Sequence, residues 1–81
     1  MELWIRSQKN HYVVDRLIKV SDIVLEYGID ERCWIVVNND AKVAYYHSEK
    51  RALAVLDEIQ DLMRSLTDSD LKIIQYEMSK E

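Results

Sequence analysis

The sequence predicts an α+β domain: a mostly antiparallel sheet of five to six strands with one main helix on one face, in the order β-β-β-β-β-α-β. Two observations predict this fold. Short apolar, β-branched runs fill the first half of the chain, and one long stretch with apolar residues three and four apart follows them. The chain has no proline and only one glycine, so no stretch of it has the composition of a linker. We therefore expect one domain over residues 1–81.

Short polar turns separate the predicted strands. The hairpin of Cys33–Asn38 and Lys42–His47 is the clearest, because Asn39 and Asp40 between its strands tolerate the left-handed backbone of a tight turn. Three further strands are expected, at Leu3–Ile5, Tyr12–Val20 and Ile23–Tyr27.

The main helix is expected to begin after Ser48, a good N-cap residue, and to run for about 18 residues with one apolar stripe. The end of the chain is open to two interpretations. Thr67 and Asp70 could open a second helix, whereas Ile74–Met78 alternates apolar and polar residues as a strand does. Residues 71–78 are therefore strand or helix, and the alternation favours a strand.

The predicted strands are apolar on both faces, which is the most informative feature of the sequence. The helix can cover one face, assembled from Leu3, Ile5, Ile23, Leu25, Cys33, Ile35, Val37, Val43 and Tyr45. The opposite face then carries Trp4, Val24, Trp34, Val36, Ala44 and Tyr46. Either the tail shields this second face or another chain binds it, and we expect a homodimer formed through Trp34.

The candidate binding residues are large aromatics with basic neighbours, the types that dominate interfaces. His47 ends a strand just before the helix, where it is either a ligand contact or an ordinary strand-end residue. The predicted set for a partner or ligand is Trp4, Arg6, Trp34, Tyr46 and His47.

A second candidate is an acidic helix face formed by Asp57, Glu58 and Asp61, since positions 57 and 61 are neighbours on a helix. Such a cluster could hold a divalent cation or imitate phosphate, or it could be a solvated face. The sequence leaves both readings open.

Composition excludes several function classes. Fifteen acidic against eleven basic residues give a net charge of −4, which disfavours direct binding to nucleic acid. The one cysteine, Cys33, allows no internal disulfide, and His11 and His47 lack a partner three or four residues away, so no metal is expected. No glycine-rich loop or nucleophile motif is present, so we expect neither a bound cofactor nor enzymatic activity. Without a membrane segment, a cytoplasmic protein is expected.

Three segments resemble short uncharacterised proteins of phages and prophages of Gram-positive bacteria. They are Leu3–Gln8 ("LWIRSQ"), Ser48–Gln60 (like "SEERALEVLDEI") and Tyr76–Met78, where Ser79 replaces the proline of "YxMP". The resemblance covers roughly a third of the chain and implies a phage or mobile-element origin. It implies no catalytic residue.

The sequence thus favours a non-enzymatic phage-encoded protein in the host bacterial cytoplasm. It would modulate a host process, inhibition of defence included, by binding a host protein. The alternative is a nucleotide or small-ligand sponge or sensor, in which Trp4, Trp34 or Tyr46 stacks on a base and Arg6 meets phosphate.

Overall fold

Six strands and one helix follow each other in the predicted order in the computed structural model, which describes residues 2–29, 32–65 and 73–80. The strands are β1 (Glu2–Arg6), β2 (Leu17–Lys19), β3 (Ile23–Tyr27), β4 (Cys33–Val37), β5 (Ala41–Tyr46) and β6 (Ile73–Glu77). The helix α1 spans Glu49–Ser65, between β5 and β6. The α+β class is therefore confirmed.

The strands form two three-stranded sheets where the sequence predicts one. The first sheet has the order β2-β1-β6, and the second has the order β3-β4-β5. All pairs are antiparallel except β1 with β6, which is parallel. Parallel strands need a long connection, and here four strands and α1 lie between β1 and β6 in the chain.

The second strand is much shorter than the predicted Tyr12–Val20. Its pairing with β1 begins only at Leu17, because the preceding residues form a loop held by side chains. The Ser7 hydroxyl donates to the carbonyl of Val14 and accepts from the amide of Arg16. These bonds satisfy backbone groups that a longer strand would pair with β1.

A β-bulge changes which face each residue of β5 occupies. The β4–β5 register shifts between Ile35 and Val36, so that Val43 has no partner opposite it. Beyond the bulge, Tyr45 lies opposite Trp34, while Tyr46 lies opposite Cys33. The extra residue exchanges the two faces, so the predicted placement of Tyr45 towards the helix and of Ala44 and Tyr46 away from it is wrong.

One hydrophobic core joins both sheets and the helix. The helix begins as predicted, with the amide of Arg51 donating to the Ser48 hydroxyl over 3.2 Å. It buries Ala52, Val55 and Ile59 against the second sheet. The remaining core residues are Leu3, Ile5, Ile23, Cys33, Ile35, Val37, Val43, Ala44, Tyr46 and Met78.

The favoured strand near the end of the chain is present as β6, and Met78 after it is buried. Thr67 and Asp70, which could open a second helix, and positions 71 and 72 lie outside the described residues. Within the described ranges, no helix is long and apolar enough to cross a membrane.

Candidate binding site

Four rings gather on the face of the second sheet that is turned away from the helix, and we call this group the aromatic basin: Tyr12, Trp34, Tyr45 and His47. Tyr45 is its centre. The Trp34 ring meets Tyr45 edge-on at 4.7 Å, and the His47 ring does so at 5.1 Å. Tyr12 stacks on Tyr45 with the ring centroids 4.7 Å apart and the planes inclined by 26°. Both are arrangements that aromatic pairs prefer.

Tyr12 reaches the basin from the loop that precedes β2. The Asn10 carboxamide oxygen accepts the backbone amides of Tyr12 and Val13 at 2.8 and 2.9 Å, which makes a tight turn. Val13 is buried beneath this turn, and Tyr12 keeps 52% of its surface exposed. The loop therefore covers part of the sheet face that is turned away from the helix. The sequence predicts that the tail or another chain covers this face.

Two cations lie over the rings. Lys42 Nζ is 4.6 Å from the centroid of the Trp34 ring, and the Arg32 guanidinium carbon is 5.7 Å from that of Tyr45. Both distances fall within the range of a cation–π attraction. The basin is thus an aromatic surface with a basic margin on a protein whose net charge is negative.

A shallow pocket of about 320 Å³ opens beside Tyr12, Tyr45 and His47. Its other lining residues are Gln8, Lys9, Asn10, His11 and Lys80, so that both histidines meet there. None of these residues carries a carboxylate. The lining is therefore suited to an anionic group with an apolar or planar body.

The hydroxyl of Tyr45 has no hydrogen-bond partner although it is buried, and Tyr45 is 5% exposed. It is the one such side-chain atom within the described residues. An unpaired buried hydroxyl is costly. The hydroxyl is enclosed by the protein, so a molecule bound at the surface of the basin would contact the surrounding rings and cations and not this oxygen.

Gln8 holds the rim of the pocket in place and is only 4% exposed. Its backbone amide donates to the carbonyl of Val43, and its side-chain oxygen accepts the amide of Tyr45 at 2.8 Å. Its side-chain nitrogen donates to the carbonyl of Ser79. Gln8 thereby caps the outer edge of β5 and ties the first sheet, the second sheet and the end of the chain together.

The predicted binding residues do not form one site. Trp34 and His47 lie in the aromatic basin, whereas Trp4 lies in the first sheet, where its indole donates to Glu2. Arg6 lies in the first sheet too and forms two 2.9 Å hydrogen bonds with the carboxylate of Asp15. These hydrogen bonds lower the pKa of Asp15 below its ordinary value and raise that of Arg6.

Tyr46 cannot contact a partner directly, because it is 0% exposed and its hydroxyl donates to the carbonyl of Ser79 at 2.7 Å. The bulge is the physical reason for this correction. The residues that the sequence analysis missed are Tyr12, Tyr45 and His11. The sequence carries no signal for the bulge, and the Asn10 turn was the available hint for Tyr12.

The predicted acidic helix face is exposed and is partly engaged within the chain. Glu58 accepts a 3.0 Å hydrogen bond from the Tyr76 hydroxyl, and Asp61 pairs with Arg64 at 3.1 Å. Partial burial and the contact with Glu58 raise the pKa of Tyr76 to about 12. In the described part of the chain no three acidic, histidine or cysteine side chains are grouped to hold a metal ion.

Comparison with known proteins gives no match to this chain among family models, curated proteins or solved structures.

Proposed function

We propose that the protein is a non-enzymatic, phage-encoded binding protein that acts in the host cytoplasm by binding a host protein through the aromatic basin. The observation that supports this proposal is the cluster of rings with two cations over it. Tyr45 is fixed by three ring contacts, and the Tyr12 ring beside it is half exposed. Rigid aromatic side chains beside arginine are the residue types that supply most binding energy at interfaces.

The charges around the basin indicate what the partner presents. Arg32 and Lys42 flank the rings, and Lys9 and Lys80 line the adjoining pocket. A partner segment with a carboxylate side chain would meet these cations. Binding such a segment would block whatever the host protein does with it, and inhibition of a bacterial defence is one such outcome.

Removal of the Tyr12 ring tests this proposal, because Tyr12 is half exposed and its turn is held through backbone amides. Ile73→Ala is the control, since Ile73 is also an exposed large apolar residue and lies in β6, outside the basin. Wild type and Ile73→Ala, immobilised on beads and exposed to a Gram-positive host lysate, should retain the same protein, and Tyr12→Ala should lose it. Equal retention by all three proteins, or no specific retention by wild type, would contradict the proposal.

The pocket supports one alternative, the binding of a nucleotide or a similar small anion. Its volume of about 320 Å³ lies at the small end of ligand pockets, and it combines a ring wall with two lysines. In this alternative Tyr12 would stack on the base and the lysines would meet the phosphate, the roles that the sequence predicted for Tyr46 and Arg6.

Tryptophan fluorescence separates the two functions. A Trp4→Phe variant leaves Trp34 as the sole tryptophan, 4.7 Å from Tyr45. Quenching of the Trp34 emission by a nucleotide at micromolar concentration would favour the small-ligand function. A response to a glutamate-rich peptide alone would favour the protein partner.

A further inference from the structure

The outer edge of β3 has backbone groups without partners in the described part of the chain. The second sheet ends there, because β3 pairs with β4 alone. The amide of Gly28 donates to the carbonyl of Arg32, and the amide of Asn38 donates to the carbonyl of Asp22. Hydrogen-bonded pairs alternate along an antiparallel ladder, so Val24 and Glu26 also direct their backbone groups towards β4. The backbone groups of Ile23, Leu25 and Tyr27 are thereby directed outwards.

Exposed apolar side chains are concentrated at this same edge. Of the eight large hydrophobic residues that are exposed among the described positions, three lie in β3 or just after it: Val24 at 46%, Tyr27 at 62% and Ile29 at 83%. A fourth, Leu53 at 38%, lies one helical turn after Glu49, which contacts the Tyr27 hydroxyl. Edge strands in native proteins are normally protected by charge, by a bulge or by a covering element. Within β3 itself, Glu26 is the single charged residue.

The other edges are less suited to pairing. The edge strand β6 is as long as β3, but Ile73 is its one exposed large apolar residue, and it ends in the charged Glu77. Gln8 caps the edge of β5 through the groups on either side of Ala44. The strand β2 has only three residues. β3 therefore offers five residues, or about 17 Å, of open strand beside an apolar surface.

We infer that β3 pairs with β3 of a second copy, antiparallel and about a twofold axis at Leu25, to give a continuous six-stranded sheet. In this register Leu25 faces Leu25 of the second copy, and Ile23 faces Tyr27 of the second copy. By symmetry, Tyr27 also faces Ile23 of the second copy. Each of these three pairs can exchange two hydrogen bonds, which satisfies the outward backbone groups of both strands. The pairing extends the sheet of both copies at once, as an isologous interface does.

Charge complementarity of the helices favours a second copy as the occupant. Glu49 contacts the Tyr27 hydroxyl, while Arg64 lies by Ile23 at the other end of β3. The twofold axis would set these ends against each other, so Glu49 of one copy would lie beside Arg64 of the other. The two helices would then run antiparallel, an arrangement that also suits their dipoles.

The register places Val24 directly opposite Glu26 of the second copy, in a pair without backbone hydrogen bonds, where side chains are closest. Both residues are exposed in the monomer, so substitutions there spare the core. Val24→Glu sets two carboxylates against each other at two symmetric positions, which should weaken the dimer on the order of tenfold. Val24→Glu combined with Glu26→Lys sets opposite charges together and should restore it.

Sedimentation equilibrium at high micromolar concentration measures these effects. Wild type should sediment at about twice the chain mass of 9.6 kDa. Val24→Glu should shift towards the chain mass, the double variant should return to the dimer, and Glu26→Lys alone should stay dimeric, because its lysine faces Val24. A monomeric wild type, or a Val24→Glu variant that the second change does not rescue, would overturn the inference.

Trp34→Glu distinguishes this dimer from one formed through the aromatic face, as the sequence predicted. Trp34 lies one strand inwards from the edge, in β4. With the β3 pairing the variant keeps the wild-type mass. Dissociation of Trp34→Glu together with a stable Val24→Glu dimer would assign the contact to the aromatic face and reject the β3 edge.

Discussion

At the scale of single residues, Gln8 shows how one buried amide can organise a small protein. Three of the four hydrogen-bonding positions of its side chain have partners: the oxygen accepts from Tyr45 and Asn10, and the nitrogen donates to Ser79. Such buried polar contacts specify geometry, because another packing would leave these groups unpaired. Gln8 thus fixes Tyr45 and, through it, the aromatic basin.

Replacement of Gln8 by alanine should therefore destabilise the fold by about 1–3 kcal/mol, since the amide of Tyr45 and the carbonyl of Ser79 lose buried partners. The free energy of unfolding in urea measures this change. Gln75→Ala, at an exposed position in β6, is the control and should shift stability by no more than about 0.5 kcal/mol. A similar small effect for both variants would show that water replaces the Gln8 contacts.

Tyr76 should make stability depend on pH in the alkaline range. Partial burial and Glu58 raise its pKa in the folded protein to about 12, against an ordinary value of 10.0. The contribution is fully present below pH 10. Between pH 10 and 12 the unfolded chain releases the proton while the folded protein keeps it, so stability falls.

The difference in unfolding free energy between wild type and Tyr76→Phe isolates this contribution. It should be constant from pH 7 to 9.5 and should change by pH 12, with wild type losing stability faster. A constant difference over the whole range would mean that the Tyr76 pKa is not raised. The other tyrosines titrate in both proteins and cancel.

At the scale of the elements, the sequence was sufficient wherever one period ran without interruption. Ser48 and the apolar residues at spacings of three and four predicted α1 with its cap, and the alternation at Ile74–Met78 predicted β6. The bulge in β5 was not predictable in this way. One unpaired residue, Val43, reverses every face beyond it, and no glycine or proline marks the position. The centre of the binding site was missed for this reason.

Asn38 joins two elements that belong to different sheets. It adopts a left-handed backbone with a φ of 55° in the turn between β4 and β5. Its side-chain oxygen accepts the amide and hydroxyl of Ser21, and its nitrogen donates to the carbonyl of Lys19 at 2.7 Å. The β4–β5 turn is thereby fastened to the chain that leads from β2 to β3, at the break between the sheets.

Asn38→Gly and Asn39→Gly form a matched pair that measures this fastening. Both positions have a positive φ, which glycine adopts without strain, and Asn39 makes no such side-chain bonds. We expect Asn38→Gly to be less stable than Asn39→Gly by about 0.5–1.5 kcal/mol, because three side-chain hydrogen bonds at the surface are lost. Thermal unfolding of the two variants gives the comparison, and equal midpoints would show that the turn is held by backbone bonds alone.

At the scale of the whole molecule, the division into two sheets follows from contacts between residues far apart in the sequence. Gln8 and Asn38 join the sheets, and β6 from the end of the chain pairs in parallel with β1 from its start. Local periodicity carries no information on these pairings. This explains why the order of the elements was predictable from the sequence, whereas the division into two sheets was not. The same limit applies to the aromatic basin, whose rings come from three separate segments.

The end of the chain should contribute a large share of the total stability, because it locks β6 in place. Met78 is 6% exposed and its amide donates to the carbonyl of Arg6. The carbonyl of Ser79 accepts from the Tyr46 hydroxyl and from Gln8. A domain of this size has a net stability of about 4–12 kcal/mol, and burial of one methionine alone accounts for roughly 1.5–3 kcal/mol.

A chain shortened by residues 78–81 should therefore lose at least about 3 kcal/mol, since the methionine leaves the core and two buried donors lose their acceptor. A chain shortened only by residues 80–81 is the control; it keeps Met78 and Ser79 and removes the exposed Lys80. Ser79→Pro should also stay folded, because proline retains the carbonyl oxygen that Tyr46 and Gln8 need. Urea unfolding of the three proteins tests this order, and equal stability of the two shortened chains would show that β6 is held by its ladder with β1 alone.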